Sequence, residues 1–266
     1  MSRGTFFDRL AEAKKRFDPH GQGAWYRGVK KSSYKLEPSY LRYPQLSGKE
    51  HNLMARFTRQ GARYLDTKDK WERLAFMQHY GVPTKLMDWT TNVTAAIYFA
   101  LAFNVKAEED LQEPLIWILN PFALNGKSGS RKIFDNMDEP PELKLESREG
   151  NKWEKEFPIA IALDWRNNRI EHQQGVFTYH GTRNEPLNEL VPDCVEKIEI
   201  KKTEIGDLLD HLRDAGVTHY RMLQDPDSLG RDITESALRS GLLWKNTRMP
   251  LFMGIEEESP RPDAAV

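Results

Sequence analysis

Apolar positions along this chain follow two periods, one helical and one extended. Phe6, Leu10, Ala13 and Phe17 stand three or four residues apart and predict a helix over residues 6–17. The run Asp18-Pro19-His20-Gly21-Gln22-Gly23 then interrupts the pattern. Ala24 to Val29 is short, aromatic and bounded by glycine, and predicts a strand entering a turn. Ser47 as N-cap, with Glu50 three residues on, predicts a helix through Leu53, Phe57 and Tyr64. A further helix is expected from Asp69 to His79, with Trp71, Leu74, Ala75 and Gln78 on one side and Gly81 and Pro83 stopping it. Leu86 to Trp89 predicts a short strand. Thr91 or Asn92 then caps a helix carrying Val93, Ala96, Ile97, Ala100, Leu101 and Phe103.

The second half of the chain carries more strands. Leu115 to Leu119 is apolar throughout, as in a strand buried on both faces. Residues 120–149 are rich in Gly, Ser, Pro and Asp and predict a long loop or insertion. Strands are expected over 159–163, 176–179 and 195–200, a helix over 205–214 closed by Gly216, a last strand over 218–223 and a last helix over 232–240. The acidic, proline-containing tail 256–266 is expected to be disordered. No internal repeat occurs. Helices in the first half and strands in the second point to an α+β fold, a mixed β core flanked by helices, as one domain over 1–255.

Composition narrows the function classes. Hydrophobic residues make up 39% and charged residues 30%, enough for a core. Net charge is -1, from 39 basic and 40 acidic residues, so no overall basic excess marks nucleic acid as the main partner. A local patch of Arg166, Arg169, Arg183 and Lys201-Lys202 keeps that reading open. The lone Cys194 supports neither a disulfide framework nor a cysteine zinc site, and its place just before a strand-like run marks a packing residue. The N-terminus lacks the apolar segment of a secretory signal and no run is long enough to span a bilayer, so a cytoplasmic location is expected. The seven histidines show no metal-ligand spacing, and no metal is expected. There is no Gly-x-Gly-x-x-Gly, no Gly-x-Ser-x-Gly and no complete phosphate-binding loop, since Gly126-Lys127-Ser128 lacks the glycine five residues earlier.

Two segments carry candidate chemistry. In Trp25-Tyr26-Arg27-Gly28 an arginine stands between an aromatic residue and a glycine. Its planar fork suits phosphate or carboxylate, and the glycine permits close approach. The alternative is a buried ion pair between Arg27 and an internal acid such as Asp88. The second segment runs from Gln78 to Asn92 and leads into Ala95-Ala96-Ile97-Tyr98-Phe99-Ala100. There Asp88-Trp89-Thr90-Thr91 falls at a strand-to-helix junction, where hydroxyl and N–H groups face an anion or simply cap the helix.

These segments resemble the FRG domain family, named for an aromatic-Arg-Gly motif. Its second signature is similar to Gln-His-Tyr-Gly-Val-Pro-Thr-Arg-Leu-Leu-Asp-Trp-Thr followed by Ala-x-Tyr-Phe-Ala; this chain has Lys85 and Met87 at two of those positions. The resemblance covers about residues 22–110 closely, extends loosely through Arg169 to Phe177 and Gly216 to Leu229, and implies a bacterial protein. The same segments also resemble, more distantly, the arginine class of ADP-ribosyltransferases. In that class an aromatic-Arg-Gly strand, a strand ending in Ser-Thr-Ser before a helix, and a later strand with a catalytic glutamate form a split sheet.

That resemblance implies NAD as substrate. Arg27 holds its phosphates or ribose. Tyr80, Trp89 or Tyr98 stacks on nicotinamide, and Tyr26, Gly28, His79 and Thr90 complete the pocket. The glutamate position falls at Gln173 or Gln174, so the expected catalytic set is Arg27, Asp88, Gln174 and Glu171. On an extended strand Glu171 shares a face with Gln173 and opposes Gln174. Three readings follow: an ADP-ribosyltransferase or NAD glycohydrolase acting on an unidentified macromolecular acceptor or on water, a non-catalytic binding domain using the same cleft, and a nucleic-acid-directed protein. No membrane partner is expected.

Overall fold

A computed structural model describes residues 4–18, 20–21, 23–65, 67–102, 111–130, 132–135, 157–164 and 168–243. Among the described residues, six strands form one sheet: β1 (Trp25–Val29), β2 (Leu86–Thr90), β3 (Leu115–Leu119), β4 (Ile159–Ile161), β5 (Gly175–Tyr179) and β6 (Val195–Glu199), in the order β4-β5-β2-β1-β3-β6. Neighbouring strands all pair antiparallel. Among the described residues, the parallel share of the expected mixed core is two isolated bridges, Lys31 with Gln112 and Phe134 with Ile161. Around the sheet lie α1 (Phe6–Phe17), α2 (Glu50–Gln60), α3 (Lys70–His79), α4 (Val93–Leu101), α5 (Pro121–Lys127), α6 (Asn168–Gln173), α7 (Leu187–Leu190), α8 (Ile205–Asp214), α9 (His219–Leu223) and α10 (Pro226–Leu243). The fold is α+β.

Side-chain alternation divides the core into three parts. On one sheet face, Tyr26, Ile116, Ile118 and Ile198 pack against α1, α4 and α8. On the same face but the other half of the sheet, Leu86, Phe177, Tyr179, Ile159 and Ile161 pack against α3 and Met54 of α2. The register makes these one face, because Tyr26 pairs with Thr90 and Leu86 lies two residue pairs along the same side. The opposite face, with Trp25, Met87, Trp89, Val176 and Val195, is covered by Leu36, Leu124 of α5 and Leu187 of α7. Two helical layers thus share one face and leave a gap between them.

Local chemistry explains where the elements begin. Thr5 and Asp8 form a reciprocal capping box at α1: the Thr5 hydroxyl accepts from the Asp8 N–H at 3.3 Å, and the Asp8 carboxylate accepts from the Thr5 N–H at 2.9 Å. The Asn92 side chain accepts from the Thr94 N–H at 2.9 Å and starts α4. Other expectations shift. Helix α2 starts after Lys49 with no side-chain cap rather than at Ser47, and Tyr64 belongs to a separate 3-10 turn beyond Gly61. The expected loop opens with a helix, α5, because Asn120 Oδ1 accepts from the Ala123 N–H and Pro121 suits the first helical position. Residues 136–149 of that loop, Phe103 and the tail 256–266 lie outside the described residues.

The expected last strand is the helix α9. Thr218 caps it by accepting from the Arg221 N–H, and the Asp232 carboxylate accepts from the N–H groups of His219 and Tyr220. Helix α10 begins at Pro226, six residues before the expected start at Asp232. Cys194 is fully buried, and burial, with Asp193 nearby, pushes its thiol up to about 11, in keeping with a packing role. Among the described residues, no helix is long and apolar enough to cross a membrane.

Candidate functional site

β1 and β2 touch through one residue pair, Tyr26 with Thr90. By contrast, β1 pairs with β3, and β2 with β5, along five residues each. Beyond Tyr26 the two strands part, and the sheet splits in line with the gap between the helical layers. A cavity of about 370 Å³ fills this opening. It is lined by Arg27 and Gly28 of β1, by Lys30, Tyr34 and Arg42 from the following segment, and by Gln78 and His79 of α3. Asp88, Trp89 and Thr90 of β2, Phe99 of α4, and Arg169, Gln173 and Gly175 also line it, with Tyr26 at the root of the split.

The aromatic-Arg-Gly motif has a separable role for each residue. The Tyr26 ring is buried in the core under α4. Gly28 lies against the α4 backbone, where a Cβ would stand 1.8 Å from the Ala96 carbonyl oxygen. The Arg27 guanidinium donates to the main-chain carbonyl of Asp88, in the stretch where β1 and β2 no longer pair. It thereby supplies a donor to an acceptor that the open ladder leaves without a strand partner. The expected alternative of an Arg27–Asp88 side-chain ion pair is not what forms, and among the described residues no carboxylate lies at ion-pair distance from Arg27. Burial lowers the Arg27 pKa, the Asp88 charge opposes this and Arg42 adds to it. An arginine in this range stays charged.

The second segment builds the other wall. The Thr84 hydroxyl donates to Gln78 Oε1 at 2.7 Å and accepts from the Leu86 N–H at 3.1 Å. This fixes the Gln78 amide, whose Nε2 donates to Asp88 Oδ2 at 3.1 Å. Asp88 is exposed within a strand otherwise buried, and among the described residues it is the one carboxylate on the lining, against Arg27, Lys30, Arg42 and Arg169. His79 is half-buried. Burial lowers its proton affinity and Arg169 adds to this, with Asp88 and Asp225 opposing, so the imidazole is neutral near pH 7. Lys85, at the position where the FRG pattern has arginine, pairs with Glu50 at 3.6 Å away from the lining.

Several expected site residues are elsewhere. Tyr98 is buried in the core, with its hydroxyl 2.8 Å from His219 Nδ1; the helical turn of 100° per residue puts Phe99 in the cavity instead. Tyr80 is exposed at the C-cap of α3, off the lining. Trp89 is on the lining, but its side chain belongs to the core on the opposite sheet face and its Nε1–H donates to the Thr178 hydroxyl at 3.1 Å. The Thr90 hydroxyl is engaged with the Gln173 carbonyl and the Asn92 N–H. Residues 168–173 are the helix α6, and Gln174 follows with φ 47°, so the strand alternation expected for Glu171 and Gln174 does not apply. Both are exposed and off the lining, while Gln173 is on it, with its amide donating to the Met222 carbonyl at 2.7 Å.

Lys30, Tyr34, Arg42 and Phe99 were not singled out from the sequence. Gln78 lay inside the signature but without a role. The described members of the expected basic patch are dispersed. Arg169 lines the cavity, Arg183 pairs with Glu185 beyond β5, and Lys201-Lys202 follow β6 at the far edge of the sheet; Arg166 lies outside the described residues. Among the described residues, no group of three His, Cys, Asp or Glu is placed to hold a metal ion.

Compared with known families, residues 22–109 match the family model described as the FRG domain. No curated protein and no solved structure matches the chain.

Proposed function

Starting from the FRG domain that the chain carries across residues 22–109, we propose that the split-sheet cavity binds a phosphate-bearing nucleotide, NAD in the first place, and acts on its glycosidic bond. The observation that carries this reading is the charge of the lining, among the described residues three arginines and a lysine around one oriented carboxylate. Arginine binds phosphate through paired N–H donors. Arg27 sits at the root of the split, with Arg42 and Arg169 around it. The cavity volume suits part of a dinucleotide, with the remainder extending through the open mouth.

Asp88 has the role for which the distant resemblance led to Gln174 and Glu171. When the bond between ribose C1′ and nicotinamide breaks, its electron pair leaves with the nicotinamide nitrogen and positive charge develops on the ribosyl group. A carboxylate held in place by Gln78 stabilises that charge without reorganising. Water or an acceptor hydroxyl or amine then bonds to C1′ and releases its proton to solvent.

The test is NAD binding by calorimetry together with nicotinamide release. Arg27→Ala is expected to weaken binding at least about tenfold, and Asp88→Asn to lower turnover about 10²–10³-fold while leaving binding nearly intact. Absence of binding at millimolar NAD overturns the reading. A second reading, recognition without turnover, is favoured by one observation: β5 begins at Gly175, and the described residues before it, 168–174, bring no carboxylate to the lining. Tight binding with no nicotinamide released decides for it.

A further inference from the structure

The charge of this chain is unevenly distributed. Residues 30–64 hold eight Lys and Arg against two acids, Glu37 and Glu50, in a chain of net charge -1. Glu50 is turned inward, pairing with Lys85 at 3.6 Å and accepting from the Tyr179 hydroxyl at 3.3 Å. Lys35, Lys49, Arg56, Arg59 and Arg63 are exposed, while Lys30 and Arg42 line the cavity. On α2, Met54 and Phe57 pack against the core, and Arg56 and Arg59 stand on the opposite, exposed face. Arg63 is exposed in the 3-10 turn Ala62–Tyr64 that follows. Among the described residues, Arg56, Arg59 and Arg63 have no ion-pair partner.

Aromatic rings are interleaved with these charges. Tyr34, Tyr43 and Tyr64 are 46%, 44% and 64% exposed, and the Arg63 guanidinium lies over the Tyr64 ring at 4.9 Å. The surface leads to the cavity. The Tyr40 hydroxyl accepts from the Lys49 N–H at 3.1 Å and ties the start of α2 to the 3-10 turn Ser39–Arg42, whose Arg42 lines the cavity beside Tyr34.

We propose that this face binds single-stranded nucleic acid, with the backbone along Lys49, Arg56, Arg59 and Arg63 and bases stacked on Tyr64 and Tyr43 toward the cavity mouth. Unpaired cations spaced along a helix neutralise successive phosphates, and exposed rings hold bases that a duplex keeps stacked inside. A membrane surface fits less well, because the outer face of α2 presents Asn52, Arg56, Arg59 and Gln60 with no large apolar residue to insert. An acidic peptide uses the cations but not the rings. The inference is independent of the nucleotide reading of the cavity.

The test is fluorescence anisotropy of the full chain, without NAD, using a labelled oligothymidylate of roughly 16 nucleotides. Saturable binding is expected, with log K falling against log salt at a slope of about -3, for four phosphates at roughly -0.7 each. The variant Arg56→Glu/Arg59→Glu/Arg63→Glu lies on an exposed face and is checked by circular dichroism. It is expected to lose at least about tenfold in affinity and about two units of slope, with NAD affinity unchanged. Tyr64→Ala is expected to lose roughly tenfold with the slope kept. The proposal is overturned if the oligonucleotide does not bind, or if the charge-reversed variant binds like the parent. It is equally overturned if polyglutamate or duplex DNA competes as well as the single strand, or if anionic vesicles bind where the oligonucleotide does not.

Discussion

A methyl group on Gly28 would lie 1.8 Å from the Ala96 carbonyl oxygen and 2.8 Å from the Ala100 amide nitrogen. Both are backbone atoms of α4, so neither moves aside as the end of a side chain does. Gly28→Ala is therefore expected to cost about 3 kcal/mol, at the upper end of ordinary overpacking. For a chain of this size that corresponds to a melting temperature lower by roughly 6–12 °C, measurable by calorimetry. The motif is informative at this scale because its residues act separately. Tyr26 anchors β1 in the core, Gly28 seats it on α4, and Arg27 fills the point where the ladder opens. A loss of stability of less than about 1 kcal/mol in Gly28→Ala would remove this account of the glycine.

Between elements, the link from α3 to β2 runs through Gln78, Thr84 and Asp88. Thr84 is fully buried, and its hydroxyl serves both the Gln78 side chain and the Leu86 N–H. Thr84→Val keeps the shape but leaves the Leu86 N–H without that acceptor, at a cost of about 1–3 kcal/mol in urea unfolding. It also frees the Gln78 amide to rotate away from Asp88. Under the proposed function, nicotinamide release therefore falls further than nucleotide affinity does. Equal loss of both would show that Gln78 does not orient the carboxylate.

For the whole molecule, acid stability should carry the signature of one buried histidine. His180 is fully buried, its Nε2–H donates to the Glu185 carbonyl at 3.3 Å, and among the described residues its Nδ1 has no partner. Burial, opposed by the Glu185 carbonyl and reinforced by Lys85, pushes its pKa from 6.5 down to about 4. Between these values the unfolded chain binds the proton and the folded chain does not. Stability is therefore complete above about pH 6.5 and falls by up to about 3 kcal/mol as the pH drops toward 4. His180→Gln is expected to flatten that part of the stability curve by one proton, whatever its effect at pH 7. An unchanged slope would assign the acid sensitivity to other groups.

Much of the fold was legible because it rests on short-range rules. The period of Phe6 to Phe17, the apolar run Leu115 to Leu119 and the N-cap Asn92 determine helix, strand and helix start by local chemistry alone. The FRG signature likewise marked the segments that supply Arg27, Gln78, His79 and Asp88 to the cavity. The rest depended on long-range packing. A strand expected over 218–223 became α9 because Asp232, far along the chain, holds its first N–H groups. Glu171 and Gln174 left the site because α6 replaced an extended run, and Phe99 entered it in place of Tyr98 because α4 is rolled with Tyr98 toward His219. Arg42 joined the site from a segment with no regular period. The sequence alone determined which segments carry the chemistry. Only the tertiary structure decided which side chains of each segment face the split, because that depends on how strands β1 and β2 part and how α3, α4 and α6 rotate against them.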